Sequence, residues 1–136
     1  AGYVPVITHP ERLAYAAAKY SEFREAVKLG AWLQITGAAL TGQFGPTAKT
    51  LSERMLTDGL VHIIASDGHN MTGRPPILSA AYARAVQLVG EAEAHRLCIE
   101  RPQAILDNVA PNDVTPPQPE TRRHGSKLGF WSLFKR

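Results

Sequence analysis

The 136-residue chain contains a single cysteine, Cys98, so an internal disulfide is excluded. Leu97 and Ile99 flank this thiol within a segment of helical spacing, whereas a cysteine-dependent phosphatase needs a phosphate-binding loop around its nucleophile. We therefore predict that Cys98 is a buried, unreactive thiol. A lone cysteine also fits a reducing compartment.

Long apolar runs are also missing. No stretch approaches the roughly 20 apolar residues that a transmembrane helix needs, and residues 1–7 lack the basic start and the apolar length of a signal peptide. Hydrophobic residues still make up 44% of the chain, which is enough for the core of one domain. These features predict a globular, cytoplasmic domain.

Most of the chain has no excess charge. Residues 1–110 carry ten Lys or Arg and ten Asp or Glu, so this part is neutral. Residues 111–136 carry five Lys or Arg against Asp113 and Glu120, and the net charge of +3 arises there. The pI near 9.3 is therefore weak support for nucleic-acid binding, and we expect no nucleic-acid partner.

Hydrophobic patterning predicts alternating strands and helices. The predicted strands are 3–8, 31–35 and 60–65, and the predicted helices are 13–29, 45–58, 75–89, 91–100 and 102–108. Residues 36–42 are predicted to form a loop. The alternation indicates buried parallel strands covered by helices, as in the second half of a β/α barrel. Because the first strand has no preceding element, we expect the natural polypeptide to continue upstream.

Two polar motifs follow predicted strands. Thr8–Arg12 reads T-H-P-E-R after the first strand, and Ser66–Asn70 reads S-D-G-H-N after the third. Catalytic residues of β/α barrels stand at the carboxyl ends of the strands, so both motifs are predicted to lie on that face. His9, Asp67 and His69 offer imidazole and carboxylate ligands that suit Mn, Fe or Zn. A hydrogen-bonded core role for His9 and an ordinary polar turn at D-G-H-N are the alternatives.

An arginine accompanies each motif. Arg12 ends the first motif, and Arg74 follows the second in G-R-P-P, where the prolines stiffen the backbone. A guanidinium fork can bind phosphate oxygens bidentately and balance developing charge. Arg12 and Arg74 are therefore candidate phosphate-binding residues. The alternatives are a solvated helix start at Glu11 and Arg12, and simple surface exposure of Arg74.

Three stretches together resemble the PHP superfamily, and more narrowly the bacterial capsule and exopolysaccharide tyrosine phosphatases. The stretches are P-V-I-T-H-P-E-R at 5–12, L-Q-I-T-G-A-A-L-T-G-Q-F-G at 33–45, and G-L-V-H-I-I-A-S-D-G-H-N at 59–70, which is followed by R-P-P at 74–76. The resemblance spans roughly residues 3–108.

This resemblance implies a metal-dependent phosphomonoester hydrolase, a protein-tyrosine phosphatase that acts in capsule or exopolysaccharide regulation. It implies that His9, Asp67 and His69 bind divalent metal, commonly manganese, and that Arg12 and Arg74 contact the phosphate. The implied fold for residues 1–110 is the carboxyl-terminal part of a distorted PHP-type β/α barrel. The family also uses an amino-terminal H-x-H, which this chain lacks, so we expect the amino-terminal half of the domain to lie outside it.

The implied substrate is a phosphotyrosine protein, with a membrane-bound bacterial tyrosine kinase as the partner. Two alternatives stay open at this point. One is a PHP-type small-molecule phosphoesterase such as histidinol phosphatase. The other is a non-catalytic binding fragment.

Residues 111–136 differ in composition from the rest of the chain. Four prolines within 111–119 predict an extended linker. The last ten residues combine basic and aromatic side chains, Lys127, Phe130, Trp131, Phe134, Lys135 and Arg136 among them. This combination is typical of a short amphipathic segment at an anionic membrane, which would place the protein near the membrane. A flexible, disordered tail is the alternative.

Overall fold

The computed structural model describes residues 3–119. The basic and aromatic tail predicted at 127–136 lies outside the described residues. Within residues 3–119, no helix has the length and the apolar character needed to cross a bilayer.

Three parallel strands form the sheet. They are β1 (Val6–Thr8), β2 (Trp32–Thr36) and β3 (Val61–Ala65), and they lie in the order β1-β2-β3. Both pairs, β1 with β2 and β2 with β3, run parallel. The predicted α/β class with parallel strands is therefore confirmed. The chain returns to the same end of the sheet after each strand, so all three carboxyl ends share one edge.

The first strand is shorter and less buried than its prediction. It covers three residues instead of six, and Val6 is 40% exposed. Among residues 3–119, β1 pairs with β2 alone. By contrast, β2 has a neighbour on each side, and its Leu33 and Ile35 are fully buried. Within residues 3–119 the prediction of a buried first strand is not met, because β1 is an edge strand there and receives cover from β2 alone.

Helices connect and cover the strands. They are α1 (Tyr20–Lys28), α2 (Gly37–Leu40), α3 (Gly45–Thr57), α4 (Ser79–Val89), α5 (Glu91–His95) and α6 (Arg101–Leu106), with a π-helical segment at Arg96–Glu100 and 3-10 turns at Pro10–Arg12 and Pro111–Asp113. The predicted helix at 45–58 is confirmed to within one residue. The helix predicted at 91–100 includes the π-helical segment, so the chain from 91 to 106 is helical almost throughout.

One loop prediction and two helix predictions need correction. The predicted loop at 36–42 contains α2, where Gly37 packs so closely on Ala81 that an added Cβ would lie 2.8 Å from the alanine Cβ. The helix predicted from residue 13 begins at Tyr20, since Leu13 is extended and short turns follow it. The helix predicted from Pro75 begins at Ser79, because a residue that precedes proline is disfavoured in the helical region.

The core lies between the sheet and the helices. Its fully buried members include residues of β2, β3, α2, α3 and α4, such as Leu33, Ile35, Leu40, Met55, Ile64 and Ala85. Cys98 belongs to this core, and burial raises the pKa of its thiol to about 11. The prediction of a buried cysteine is therefore confirmed.

His62 of β3 has a structural role. Its ring stacks on Trp32 with the ring centroids 5.0 Å apart, and its Nδ1 accepts a hydrogen bond from the Leu33 N–H at 3.3 Å. Burial lowers the pKa of His62 to about 4, so the ring is neutral at pH 7.

A buried cluster of Glu93, Arg96 and Arg101 fixes the last part of the described chain. Arg101 Nη2 lies 2.8 Å from Glu93 Oε1, and Arg96 Nη1 donates to Glu93 Oε2 at 2.9 Å. Arg101 Nε also donates to the Thr115 carbonyl oxygen at 2.9 Å. The segment after Thr115 then reaches the amino-terminal end of β3.

Gly59 is required where that segment arrives. Its φ is +70°, and a Cβ at this position would lie 2.5 Å from the Pro119 nitrogen. Glycine therefore satisfies both the left-handed backbone and the close approach of the 115–119 segment. This contact lies at the end of β3 opposite the S-D-G-H-N motif.

Candidate metal and phosphate site

Asp67 is the centre of the site. It follows β3, and its Oδ2 accepts a hydrogen bond from Arg12 Nη1 at 2.8 Å. Arg74 Nη2 donates to the same oxygen. Side-chain hydrogen bonds thus join three of the five residues singled out in the sequence, one from the segment after β1 and two from the loop after β3. These three side chains carry two positive charges and one negative charge.

The backbone turns sharply at both strand ends. His9 has φ +41° and Asp67 has φ +51°, and both values lie in the left-handed region that residues other than glycine seldom adopt. The His9 N–H donates to the Gln34 carbonyl oxygen at 2.8 Å, which holds the first motif against β2. Strained backbone of this kind clusters at functional sites, where surrounding contacts maintain it.

His69 is turned towards Asp67 by a local contact. Its Nδ1 lies 2.7 Å from the Asp67 carbonyl oxygen and 3.7 Å from Asp67 Oδ1. When Nδ1 carries the proton and donates to that carbonyl, Nε2 keeps its lone pair, which is the arrangement of a metal-binding histidine. The imidazole is half-exposed, so a ligand can reach it.

Asn70 organises the loop that carries Arg74. Its Oδ1 accepts hydrogen bonds from the backbone N–H groups of Thr72, Gly73 and Arg74 at 3.1, 2.6 and 3.0 Å. The His69 N–H donates to the Arg74 carbonyl oxygen at 2.9 Å, which closes the loop. The sequence reasoning did not single out Asn70, although asparagine in a short polar loop is a general signal for such a turn.

Glu11 was also missed as a site residue. The alternative of a solvated helix start is wrong for this residue, because Glu11 is 2% exposed. Its Oε1 accepts a hydrogen bond from the Thr36 N–H at 2.9 Å, and its Oε2 has no hydrogen-bond partner among residues 3–119. Burial raises the pKa of this carboxyl above its usual value. Glu11 therefore joins the first motif to the carboxyl end of β2.

Phe44 lies in the connection that follows β2, and its ring reaches the site. The Cζ atom of Arg12 lies 4.2 Å from the centroid of the Phe44 ring, and that of Arg74 lies 5.8 Å from it. A cleft of about 190 Å³ runs between Phe44, Arg74 and Ile77. A second cleft of about 300 Å³ runs between Phe44, Arg12 and Glu11. Phe44 lines both clefts.

His9, Asp67 and His69 are the candidate metal ligands. One carboxylate and two imidazoles are the donor types that Mn, Fe and Zn accept, and His9, Asp67 and His69 all follow strand ends at one edge of the sheet. Within residues 3–119, however, no group of three His, Cys, Asp or Glu side chains is arranged to hold an ion. The donor types fit a divalent metal in chemistry, but the described residues form no complete group of ligands.

Comparison with known proteins identifies one family. The family model described as capsular polysaccharide synthesis, CpsB/CapC, matches residues 1–107. The tyrosine-protein phosphatase CpsB of Streptococcus agalactiae is 34% identical over 112 residues, which cover 79% of this chain and 46% of CpsB. The tyrosine-protein phosphatase YwqE of Bacillus subtilis is 42% identical over 73 residues, which cover 54% of this chain and 29% of YwqE.

A solved structure is similar in fold. It comes from crystal structures of YwqE from Bacillus subtilis and CpsB from Streptococcus pneumoniae, described as unique metal-dependent tyrosine phosphatases. The TM-score is 0.64 and the sequence identity 32%, over 89% of this chain and 48% of that chain. The chain thus spans about half the length of this relative or of CpsB, and less of YwqE. The family resemblance recognised in the motifs is confirmed.

Proposed function

The chain belongs to the CpsB/CapC family of capsular polysaccharide synthesis, and from this premise we propose that it is the carboxyl-terminal part of a metal-dependent protein-tyrosine phosphatase. In this proposal residues 1–110 contribute their parallel strands to a distorted PHP-type β/α barrel. Residues 111–136 carry the Pro-rich segment and the basic and aromatic tail. The names of the relatives and the fold of the solved neighbour support the assignment.

The convergence of Arg12 and Arg74 on Asp67 carries the proposal. Two guanidinium forks converge on one carboxylate, and each arginine lines one of the two clefts. Planar forks match the oxygens of a phosphate group, so this arrangement suits a phosphomonoester dianion. Arg12 and Arg74 are the proposed phosphate-binding residues, and Asp67 orients both.

His9, Asp67 and His69 are the proposed ligands of a divalent metal, which we take to be manganese. Oδ1 of Asp67 is the oxygen that the two arginines leave free. Further ligands come from water or from outside residues 3–119, since that range holds no complete group. When bound, such a metal supplies a hydroxide near neutral pH by lowering the pKa of its water.

The side chains of this chain bind and orient the phosphoryl group. Arg12 and Arg74 donate hydrogen bonds to its non-bridging oxygens and offset the charge that builds up as water adds to phosphorus. The P–O bond to the tyrosine oxygen breaks, and the products are inorganic phosphate and the tyrosine hydroxyl. No covalent phosphoenzyme forms, in keeping with the buried, high-pKa thiol of Cys98.

The proposed substrate is a phosphotyrosine protein, and the proposed partner is a membrane-bound bacterial tyrosine kinase. The site then works in the cytoplasm close to the membrane. The family description and the names of the relatives support the substrate class. Contact of residues 127–136 with anionic lipid is part of this proposal. Pelleting with anionic liposomes, with and without those ten residues, tests it, and equal pelleting would remove the membrane contact.

The experiment is a phosphatase assay on the full-length protein that carries this chain, with added manganese. We expect phosphotyrosine peptide to be hydrolysed faster than histidinol phosphate. His9→Ala and Asp67→Ala should each lower the rate at least about 100-fold, because each removes a proposed ligand. His95→Ala is the matched control, since this exposed histidine lies in α5 and pairs with Glu100.

Two results would contradict the assignment. Activity that survives both ligand substitutions would show that these residues do not hold the metal. Faster turnover of histidinol phosphate would favour the small-molecule alternative, which the names of the relatives do not support.

A further inference from the structure

We propose that Phe44 is a positioning residue that holds Arg12 and Arg74 ready to receive phosphate. The inference rests on the proposed function and deepens it. It assigns a role to the connection after β2. None of the five site residues predicted from the sequence lies in that connection.

The local structure presents the Phe44 ring to the site. Phe44 stands directly before α3, and the following Gly45 has φ +87°. The Gly45 N–H donates to the Gly42 carbonyl oxygen at 3.1 Å, so the backbone turns tightly around Phe44. The side chain is only partly buried and does not belong to the hydrophobic core. A large aromatic residue outside the core contacts the two guanidinium groups instead.

Each arginine is held at two points. One point is Asp67 Oδ2, which accepts a hydrogen bond from both. The other is the Phe44 ring, with centroid distances of 4.2 Å for Arg12 and 5.8 Å for Arg74, both within cation–π range. A single contact leaves a long arginine side chain free to rotate, whereas two contacts fix the plane of the guanidinium. Fixing it in advance removes an entropic cost from ligand binding.

An aromatic ring suits this task better than a second carboxylate. A guanidinium has five N–H donors, and Asp67 engages one from each arginine. The ring attracts the cation through its face and uses none of the remaining donors. A second carboxylate in contact with the two guanidinium groups would occupy further donors. The combination of one carboxylate and one ring therefore orients Arg12 and Arg74, and it leaves N–H donors of this arginine clamp available for phosphate oxygens.

The test is binding of inorganic phosphate to the full-length protein that carries this chain, measured by calorimetry and by NMR of the Arg12 and Arg74 Nε–H signals. Phe44→Leu keeps an apolar wall between the two clefts but removes the aromatic face. We expect it to weaken phosphate binding at least about fivefold, because two arginine side chains must then be ordered when phosphate binds. Phe44→Tyr restores the aromatic face and should bind within about twofold of the wild type.

Phe23→Leu is the matched control because Phe23 is buried in α1 and belongs to the core. It should lower the thermal midpoint and leave phosphate affinity unchanged. The inference is supported if Phe44→Leu loses phosphate affinity and its Arg12 and Arg74 Nε–H signals show greater side-chain mobility. Phe44→Tyr should restore both the affinity and the rigid arginine side chains.

Other outcomes overturn it in distinguishable ways. If Phe44→Leu binds phosphate like the wild type while Arg74→Ala does not, the positioning role is wrong and the arginine clamp of the proposed function stands. If affinity falls only in step with stability in Phe44→Leu and Phe23→Leu, Phe44 is merely structural. If neither the wild type nor Arg74→Ala binds phosphate, the clamp and the positioning role both fail.

Discussion

Two clusters in this molecule have the same composition, two arginines around one carboxylate, but different surroundings. The buried cluster consists of Glu93, Arg96 and Arg101, and its central pair is 7% and 1% exposed. The Asp67 cluster has Arg12 and Arg74, and the Arg12–Asp67 pair is 27% and 23% exposed.

The arginine N–H donors of the two clusters also differ in what they contact. Arg101 directs its Nε to the Thr115 carbonyl oxygen and its Nη1 to the His62 carbonyl oxygen, so the guanidinium is engaged within the protein. Arg12 and Arg74 face an aromatic ring and two clefts instead. In the Glu93 cluster the carboxylate and Arg101 are enclosed and stabilise structure, although Arg96 is 30% exposed. In the Asp67 cluster all three side chains are partly exposed at strand ends, where they form a candidate anion site.

Removing the carboxylate charge should give the largest difference in stability between the two clusters. Glu93→Gln leaves the Arg101 charge buried without its partner, and we expect a loss of about 3–5 kcal/mol in the free energy of unfolding. Asp67→Asn acts on a solvent-accessible pair and should change that free energy by less than about 1 kcal/mol. Urea unfolding of both variants measures the difference. Equal losses would show that burial does not separate the clusters.

Acid should destabilise the buried region through His62. Burial lowers the pKa of His62 from 6.5 to about 4, so the unfolded chain binds the proton first as pH falls. The stability from the neutral ring is present above pH 6.5, is lost as pH falls from 6.5 to 4, and levels off below. We expect a loss of roughly 2–3 kcal/mol from this residue.

Unfolding measured at several pH values, in the wild type and in His62→Gln, isolates this contribution. Carboxyl groups that titrate in the same range act in both proteins and cancel in the difference. A wild-type curve with the same pH slope as His62→Gln would contradict the assignment.

A glycine pair tests the contact that holds the end of the described chain. Gly59→Ala places a methyl group against Pro119 and Gln118 at a positive φ, whereas Gly30→Ala meets a positive φ with nothing within 4 Å. Both variants should lose about 1 kcal/mol through backbone strain. Gly59→Ala should lose about 1–2 kcal/mol more through displacement of the segment. Thermal unfolding measures both, and equal losses would mean that the contact does not contribute.

The smallest expected effect is the coupling between Arg12 and Asp67. A double-mutant cycle with Arg12→Ala and Asp67→Ala should give about 0.5–1 kcal/mol at low salt and less at 0.5 M salt, since exposed pairs are screened. The corresponding cycle for Glu93 and Arg101 should keep most of its coupling in salt. Salt-resistant coupling at Asp67 would show that this pair is more enclosed than its exposure indicates.

Local sequence was sufficient to predict β2, β3 and α3, because their apolar runs and flanking glycines leave few alternatives. It also placed Asp67, Arg12 and Arg74 on one edge, since parallel strands bring their carboxyl ends together. The ligand roles of His9, Asp67 and His69 and the phosphate-binding roles of Arg12 and Arg74 stay predictions. The PHP-type barrel stays a proposal as well, because three parallel strands are compatible with several folds.

The missed residues act through contacts between distant segments. Glu11 is buried because it reaches the Thr36 N–H, 25 positions along the chain, and no pattern around Glu11 shows this. Phe44 looks like an ordinary aromatic residue until Arg12 and Arg74 are placed on its ring. The exposure of β1 likewise depends on which strands flank it. These features arise from tertiary packing, which composition and periodicity do not report.

The contact between Gly59 and Pro119 has a practical consequence for handling the protein. Leu60–Ala65 separates that contact from the Asp67 loop, a distance of roughly 20 Å at the usual rise of a strand. A dye, an affinity tag or a surface linker joined after Pro119 starts from the end of the sheet remote from the clefts. Attachment there would leave the mouths of both clefts facing solution on a sensor chip.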